Sequence, residues 1–180
     1  MAEHVYDSSD SCTGKNVAQE PLEYSIYSLL KKYQITITTA ESATGGMIAS
    51  TLINVPGISE FFTEGYVTYS NEAKVKMIHV APETIDTYGV VSSETAADMA
   101  SSAAKTAETM AAVSVTGVAG PDGGTKERPV GLVFIGCYLN GKTVTERHLF
   151  SGNRMDVRKS ATESALLLLK KCIEKEYNGD

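Results

Sequence analysis

Basic residues, histidine, cysteine and long apolar runs are all scarce in this 180-residue chain, and each scarcity removes a class of function. Lysine and arginine together number 16 against 22 acidic residues, a formal charge of −6. A phosphate backbone wants a basic face, so nucleic acid is not expected as the main partner. A local cationic pocket for one small phosphate remains compatible with that balance. Three histidines, His4, His79 and His148, stand outside any ligand motif, so no metal centre is expected. Cys12, Cys137 and Cys172 are odd in number and widely spaced, which suits neither a disulfide framework nor a zinc cluster. No apolar run approaches the ~20 residues needed to cross a bilayer. The N-terminus shows neither the basic nor the apolar region of a signal peptide. A reducing cytoplasm and no membrane partner are the corresponding expectations.

What remains is an ordinary globular composition, 42% hydrophobic and 21% charged, in a chain long enough for one well-buried core. Residues 1–19 are polar and carry no periodic apolar face, so they read as a disordered tail preceding a single domain over 20–177. Helical spacing starts after Pro21, with Leu22, Ile26, Leu29, Leu30 and Tyr33 on one face. A β-branched strand follows from Ile35, then a Ser-Thr-Gly corner, then a helix stopped by Val55-Pro56-Gly57. A short strand is predicted over 66–69 and a helix from Glu72, with Ser70 or Asn71 as its cap. Residues 82–89 read as a turn or short helix. Ser92 and Ser93 precede a helix reaching about Thr109, whose stripe is Ala96, Met99, Ala100, Ala103, Ala107 and Met110; alanine there implies close helix-to-sheet approach.

Strands are predicted over 112–116, 130–138 and 143–150, the last two joined by Asn140-Gly141, a strong hairpin signal. A final helix is predicted over 155–176. The order describes an α/β fold: a single-domain mixed sheet with a C-terminal β-hairpin and helices on both faces.

Two formal motif matches carry no chemistry. Gly136 to Thr143 fits a phosphate-binding P-loop pattern, but its lysine opens a returning strand where a P-loop needs a helix. Ser102-Ala103-Ala104-Lys105 lies inside an alanine-rich helix, where the lysine is a solvated side chain. Four other pieces bear on function. Ser42 stands where a strand hands over to a helix through Thr44, Gly45 and Gly46, a place for an anion or a developing oxyanion, or simply for a helix cap. Tyr69 and Lys74 bracket the next strand end and helix start. A lysine there reads, taken alone, as a surface residue; yet a serine needs a base, and no histidine offers itself. Thr116 ends a strand and leads into a loop with Gly117, Gly120, Gly123 and Gly124, whose backbone can approach a ligand closely. Arg154 and Arg158, one helical turn apart, can clamp a phosphate or carboxylate.

Together the pieces resemble the C-terminal domain of the competence-damage-inducible CinA family, the nicotinamide-nucleotide amidohydrolases. The carriers are Thr39-Ala40-Glu41-Ser42-Ala43-Thr44-Gly45-Gly46, Val67-Thr68-Tyr69-Ser70-Asn71-Glu72-Ala73-Lys74, Gly89-Val90-Val91-Ser92, the run from Thr116 to Gly124, Pro129-Val130-Gly131 and Phe150-Ser151-Gly152-Asn153-Arg154. The resemblance implies hydrolysis of the carboxamide of nicotinamide mononucleotide to nicotinate mononucleotide and ammonia, without metal or organic cofactor. It implies a serine nucleophile with a lysine and a tyrosine nearby, here Ser42, Lys74 and Tyr69. Thr44, Gly45, Gly46, Thr116, Gly117, Gly120, Gly123, Arg154 and Arg158 are the expected substrate-binding residues. A homo-oligomer, with a dimer favoured, is expected as well. Where the family often has cysteine after the serine, this chain has Ala43; a backbone N–H serves an oxyanion whatever its side chain. The rival reading is a non-catalytic nucleotide-binding module, which would need neither Lys74 nor Tyr69.

Overall fold

Strands β1 (Ile37–Glu41), β2 (Phe62–Val67), β3 (Ala111–Gly117), β4 (Leu132–Leu139) and β5 (Lys142–Leu149) pair in the order β2-β1-β3-β4-β5. This is the arrangement in a computed structural model that describes residues 20–179; the tail expected over 1–19 lies outside the described residues. β1 runs parallel to both β2 and β3, and the β4–β5 hairpin continues antiparallel from β3. Asn140 and Gly141 turn that hairpin with φ of 48° and 87°, values that asparagine and glycine tolerate best. The mixed sheet is therefore as read, and Lys142 opens a strand, which disposes of the P-loop match.

Helices cover both faces because the strands alternate. On β3, Val113 and Val115 join Ala161, Ala165 and Leu169 of α6 (Arg154–Asn178), beside α1 (Leu22–Tyr33) and α2 (Met47–Leu52). Ala112 faces the other way, onto Met99 and Ala103 of α5 (Ser93–Thr106), with α3 (Asn71–Ile78) and α4 (Pro82–Tyr88) alongside. The close approach read from the α5 alanines is present. The Ser114 hydroxyl donates to the Ala96 carbonyl at 2.6 Å, and a β-carbon on Gly136 would stand 2.4 Å from that same oxygen. No helix among the described residues is long and apolar enough to cross a membrane.

Some boundaries differ from expectation by a few residues. β2 begins at Phe62 and stops at Val67, so Thr68 and Tyr69 fall in the loop beyond it. As an edge strand it pairs only with β1 and leaves most of its residues exposed or half-exposed, so it carries no strong period-two signal. Of the two readings for 82–89, turn or short helix, the helix forms: α4, started by Pro82. α5 ends at Thr106, three residues early, which places Ala107 and Met110 outside the helix.

Candidate active site

The C-terminal ends of β1, β2 and β3 open at one edge of the sheet, where the chain leaves β1 for β2 on one side and later returns to β3 on the other. Ligands gather at such a switch point in open α/β sheets. A cleft of about 250 Å³ lies there, lined by Ser42, Tyr69, Lys74, Thr116 and Arg154 among others. Segments far apart in the sequence thus meet at one cleft.

Ser42 follows the last residue of β1, and its N–H donates to the Val115 carbonyl at 3.0 Å, a last rung on β3. Lys74 sits in the first turn of α3, which Ser70 caps by accepting the Ala73 N–H at 3.1 Å. Its Nζ donates to the Thr68 carbonyl at 2.8 Å and lies 3.2 Å from Ser42 Oγ. Only 1% of Lys74 is exposed, and among the described residues no carboxylate pairs with it. Burial therefore lowers its pKa to about 8. The surface-lysine reading fails, because the helix turns this side chain beneath the corner. A neutral amine that still donates to Thr68 keeps a lone pair for the serine proton. An amine so placed can take the proton of a serine hydroxyl.

The corner is held by a residue the sequence reading passed over. Glu41 is fully buried on β1, and its carboxylate accepts N–H groups from Gly46 (2.9 Å), Ile48 (3.1 Å) and Ala49 (2.9 Å). Gly45 and Gly46, with φ of 61° and 94°, turn the chain so that the start of α2 points its donors back at that carboxylate. The signal was available: Glu41 shares a strand face with Ile37 and Thr39, an inward position for an acid. As a consequence Gly46 has no N–H left for substrate. Among the described residues, the Ala43 and Thr44 N–H groups make no hydrogen bond, and Ala43 lines the cleft.

Other expected binding residues take more limited places. Thr44 is fully buried and Gly45 is exposed, and neither lines the cleft. Arg158 donates to the Ala43 carbonyl (3.1 Å) and the Thr44 carbonyl (2.7 Å), so its guanidinium is a strut beneath the corner. Arg154 stands at the mouth, donating to the Gly120 carbonyl (2.7 Å) and to the Tyr69 hydroxyl (3.0 Å). Tyr69 is thus tied to Arg154, and it is 64% exposed. Thr116 spends its hydroxyl proton on the Val90 carbonyl at 2.7 Å, which pins Val90 and Val91 as a wall of the cleft. Gly117 lines the cleft, yet its own requirement is packing: a β-carbon there would lie 2.7 Å from the Leu132 carbonyl oxygen. Gly123 is exposed, outside the cleft, with nothing near it. A second hollow of about 630 Å³ adjoins the first, sharing Ala119 and Arg154 and bounded by Pro121, Val130 and Met155.

The profile of the CinA C-terminal domain matches residues 19–173. The chain is 53% identical over 154 residues to a putative competence-damage inducible protein of Clostridium beijerinckii. It is 48% identical over 157 residues to a CinA-like protein of Kosmotoga olearia. Those matches cover 86% and 87% of this chain but 38% of each relative, so the chain spans less than two fifths of their length. Among solved structures, the CinA superfamily protein of Enterobacter cloacae superposes with a TM-score of 0.82 at 31% identity, over 94% of this chain and 99% of that one. The competence or damage-inducible protein of Enterobacter asburiae gives 0.81 at 34% identity, over 84% and 96%. With the profile covering most of the chain and the same fold in its relatives, the chain belongs to the CinA C-terminal domain family.

Proposed function

We propose that this domain hydrolyses the carboxamide of nicotinamide mononucleotide, releasing nicotinate mononucleotide and ammonia. The observation that carries the reading is the buried Lys74 amine, 3.2 Å from Ser42 Oγ. Ser42 attacks the amide carbon while Lys74 takes its proton. The tetrahedral oxygen meets the Ala43 N–H at the wall of the cleft. Ammonia leaves with a proton returned by Lys74, and Tyr69 is the second donor at the mouth. Water then hydrolyses the Ser42 ester, with Lys74 again as base. The reacting ring occupies the smaller cleft. Arg154 lies between it and the larger hollow and uses its remaining N–H groups on the phosphate.

Ammonia release from nicotinamide mononucleotide by the purified protein is the direct test. Binding of the nucleotide without ammonia would establish the non-catalytic module instead. Two further outcomes are expected. Because the neutral amine is the base, kcat/KM rises with pH and levels off above about 8, where burial has placed the Lys74 pKa; a pH–rate profile flat through that region would remove Lys74 from the base role. Arg154→Ala raises KM for the nucleotide by about 10- to 100-fold, the scale of a charge-assisted hydrogen bond, and changes KM for the unphosphorylated nucleoside far less. Equal losses on both substrates would count against a phosphate contact.

A further inference from the structure

Away from the cleft, Cys137 of β4 and Cys172 of α6 stand together where the helix packs on the sheet, and each thiol perturbs the pKa of the other. Cys137 is 1% exposed, within the core between sheet and helix, whereas Cys172 is half-buried. Both line a cavity of about 440 Å³ whose rim carries Lys142, Lys175 and Glu176. Fourteen residues of α6 separate Cys172 from Arg158, about 21 Å at helical rise, so the chemistry proposed for Ser42 makes no use of this pair. A metal would find only these two ligands, since no group of three or more His, Cys, Asp or Glu side chains is gathered among the described residues. Two apposed thiols, one reachable and one sheltered, suit a different chemistry.

We propose that Cys137 and Cys172 are a reversible modification site, oxidised to an intramolecular disulfide by hydroperoxides. The Cys172 thiolate attacks the peroxide oxygen and breaks the O–O bond, giving a sulfenic acid and an alkoxide that leaves as the alcohol, or as water from hydrogen peroxide. The Cys137 sulfur then attacks the Cys172 sulfur. Hydroxide departs and takes the Cys137 proton as water, so the two thiols have supplied two electrons to one peroxide. The order of attack follows from the surroundings. The Cys137 thiol beside it lowers the Cys172 pKa, opposed by burial and the Glu146 carboxylate and helped by Lys175 and Lys171. The same contact, with burial, holds Cys137 protonated. A buried partner on the neighbouring strand is placed to resolve the sulfenic acid before further oxidation.

The test treats the folded full-length protein with hydrogen peroxide, blocks remaining thiols after unfolding, and maps peptides without reduction. The expected result is loss of two of the three thiols and a linked pair of peptides containing Cys137 and Cys172, separated again by dithiothreitol. Cys12→Ser protein should give the same link. In Cys137→Ser, Cys172 should stop at the sulfenic acid and be captured by dimedone; in Cys172→Ser, Cys137 should stay reduced. Should the Cys137→Ser chain fail to fold, the wild-type and Cys12→Ser maps decide. Cys172 linked to Cys12 or to a second copy, or Cys137 still free after Cys172 has reacted, would overturn the proposal.

Discussion

On the proposed mechanism, turnover of nicotinamide mononucleotide is expected to fall by about 10³-fold or more in Ser42→Ala, by a comparable factor in Lys74→Met, and hardly further in the double variant. The serine change deletes one oxygen at a half-buried corner, so the fold is left intact. Methionine is the better replacement for Lys74, because alanine would open a cavity where a fully buried side chain now sits. An alcohol without its base is almost inert near neutral pH, and the base without its alcohol has nothing to activate, so the two losses do not add. Stability should move the other way. Burying an amine that burial itself drives toward neutrality opposes folding at neutral pH, and an apolar side chain of similar length removes that opposition. Lys74→Met is therefore expected to melt at or above the wild-type temperature while inactive. Had Lys74 been an exposed helix lysine, its loss would cost less than ~1 kcal/mol. A Lys74→Met enzyme that keeps about a fifth of wild-type kcat/KM, by the tenfold-per-1.4-kcal/mol relation, would sink the pair and leave Tyr69 as the next base to test.

The second large effect belongs to Glu41. Glu41→Ala leaves the N–H groups of Gly46, Ile48 and Ala49 without their acceptor beneath the corner. Unpaired buried donors cost about 1–3 kcal/mol each, with partial relief from entering water, so a loss on the order of 3–5 kcal/mol is expected in urea unfolding. Glu41→Gln keeps the shape and one acceptor but turns an amide N–H toward a backbone N–H. Its stability loss is smaller, and because Ser42 is the next residue its effect falls on kcat more than on KM. An alanine variant within about 1 kcal/mol of wild type would mean that the corner holds itself and that the carboxylate is incidental.

Local order is where reading the residues succeeded. Ser70 and Ser92 cap the helices they precede, Asn140-Gly141 makes the hairpin, and the face Leu22, Ile26, Leu29, Leu30 and Tyr33 packs on the core. Each rests on chemistry spanning a few residues, such as a hydroxyl reaching an N–H three positions on or a side-chain period matched to a helix. Bringing Ser42 and Lys74 into one proposal needed the family resemblance; the 3.2 Å between them comes from β1 and β2 lying side by side. What no local rule carries is the choice of partner across the fold. Arg158 reaches back 114 residues to the Thr44 carbonyl, and Thr116 reaches Val90, because strand register brings distant backbone within reach of a side chain. Gly46 is occupied for one further reason. A buried carboxylate must be satisfied, and the nearest donors to Glu41 are those at the start of the helix it precedes. The residue types were legible along the chain, whereas which of them face a substrate and which face each other was settled by packing.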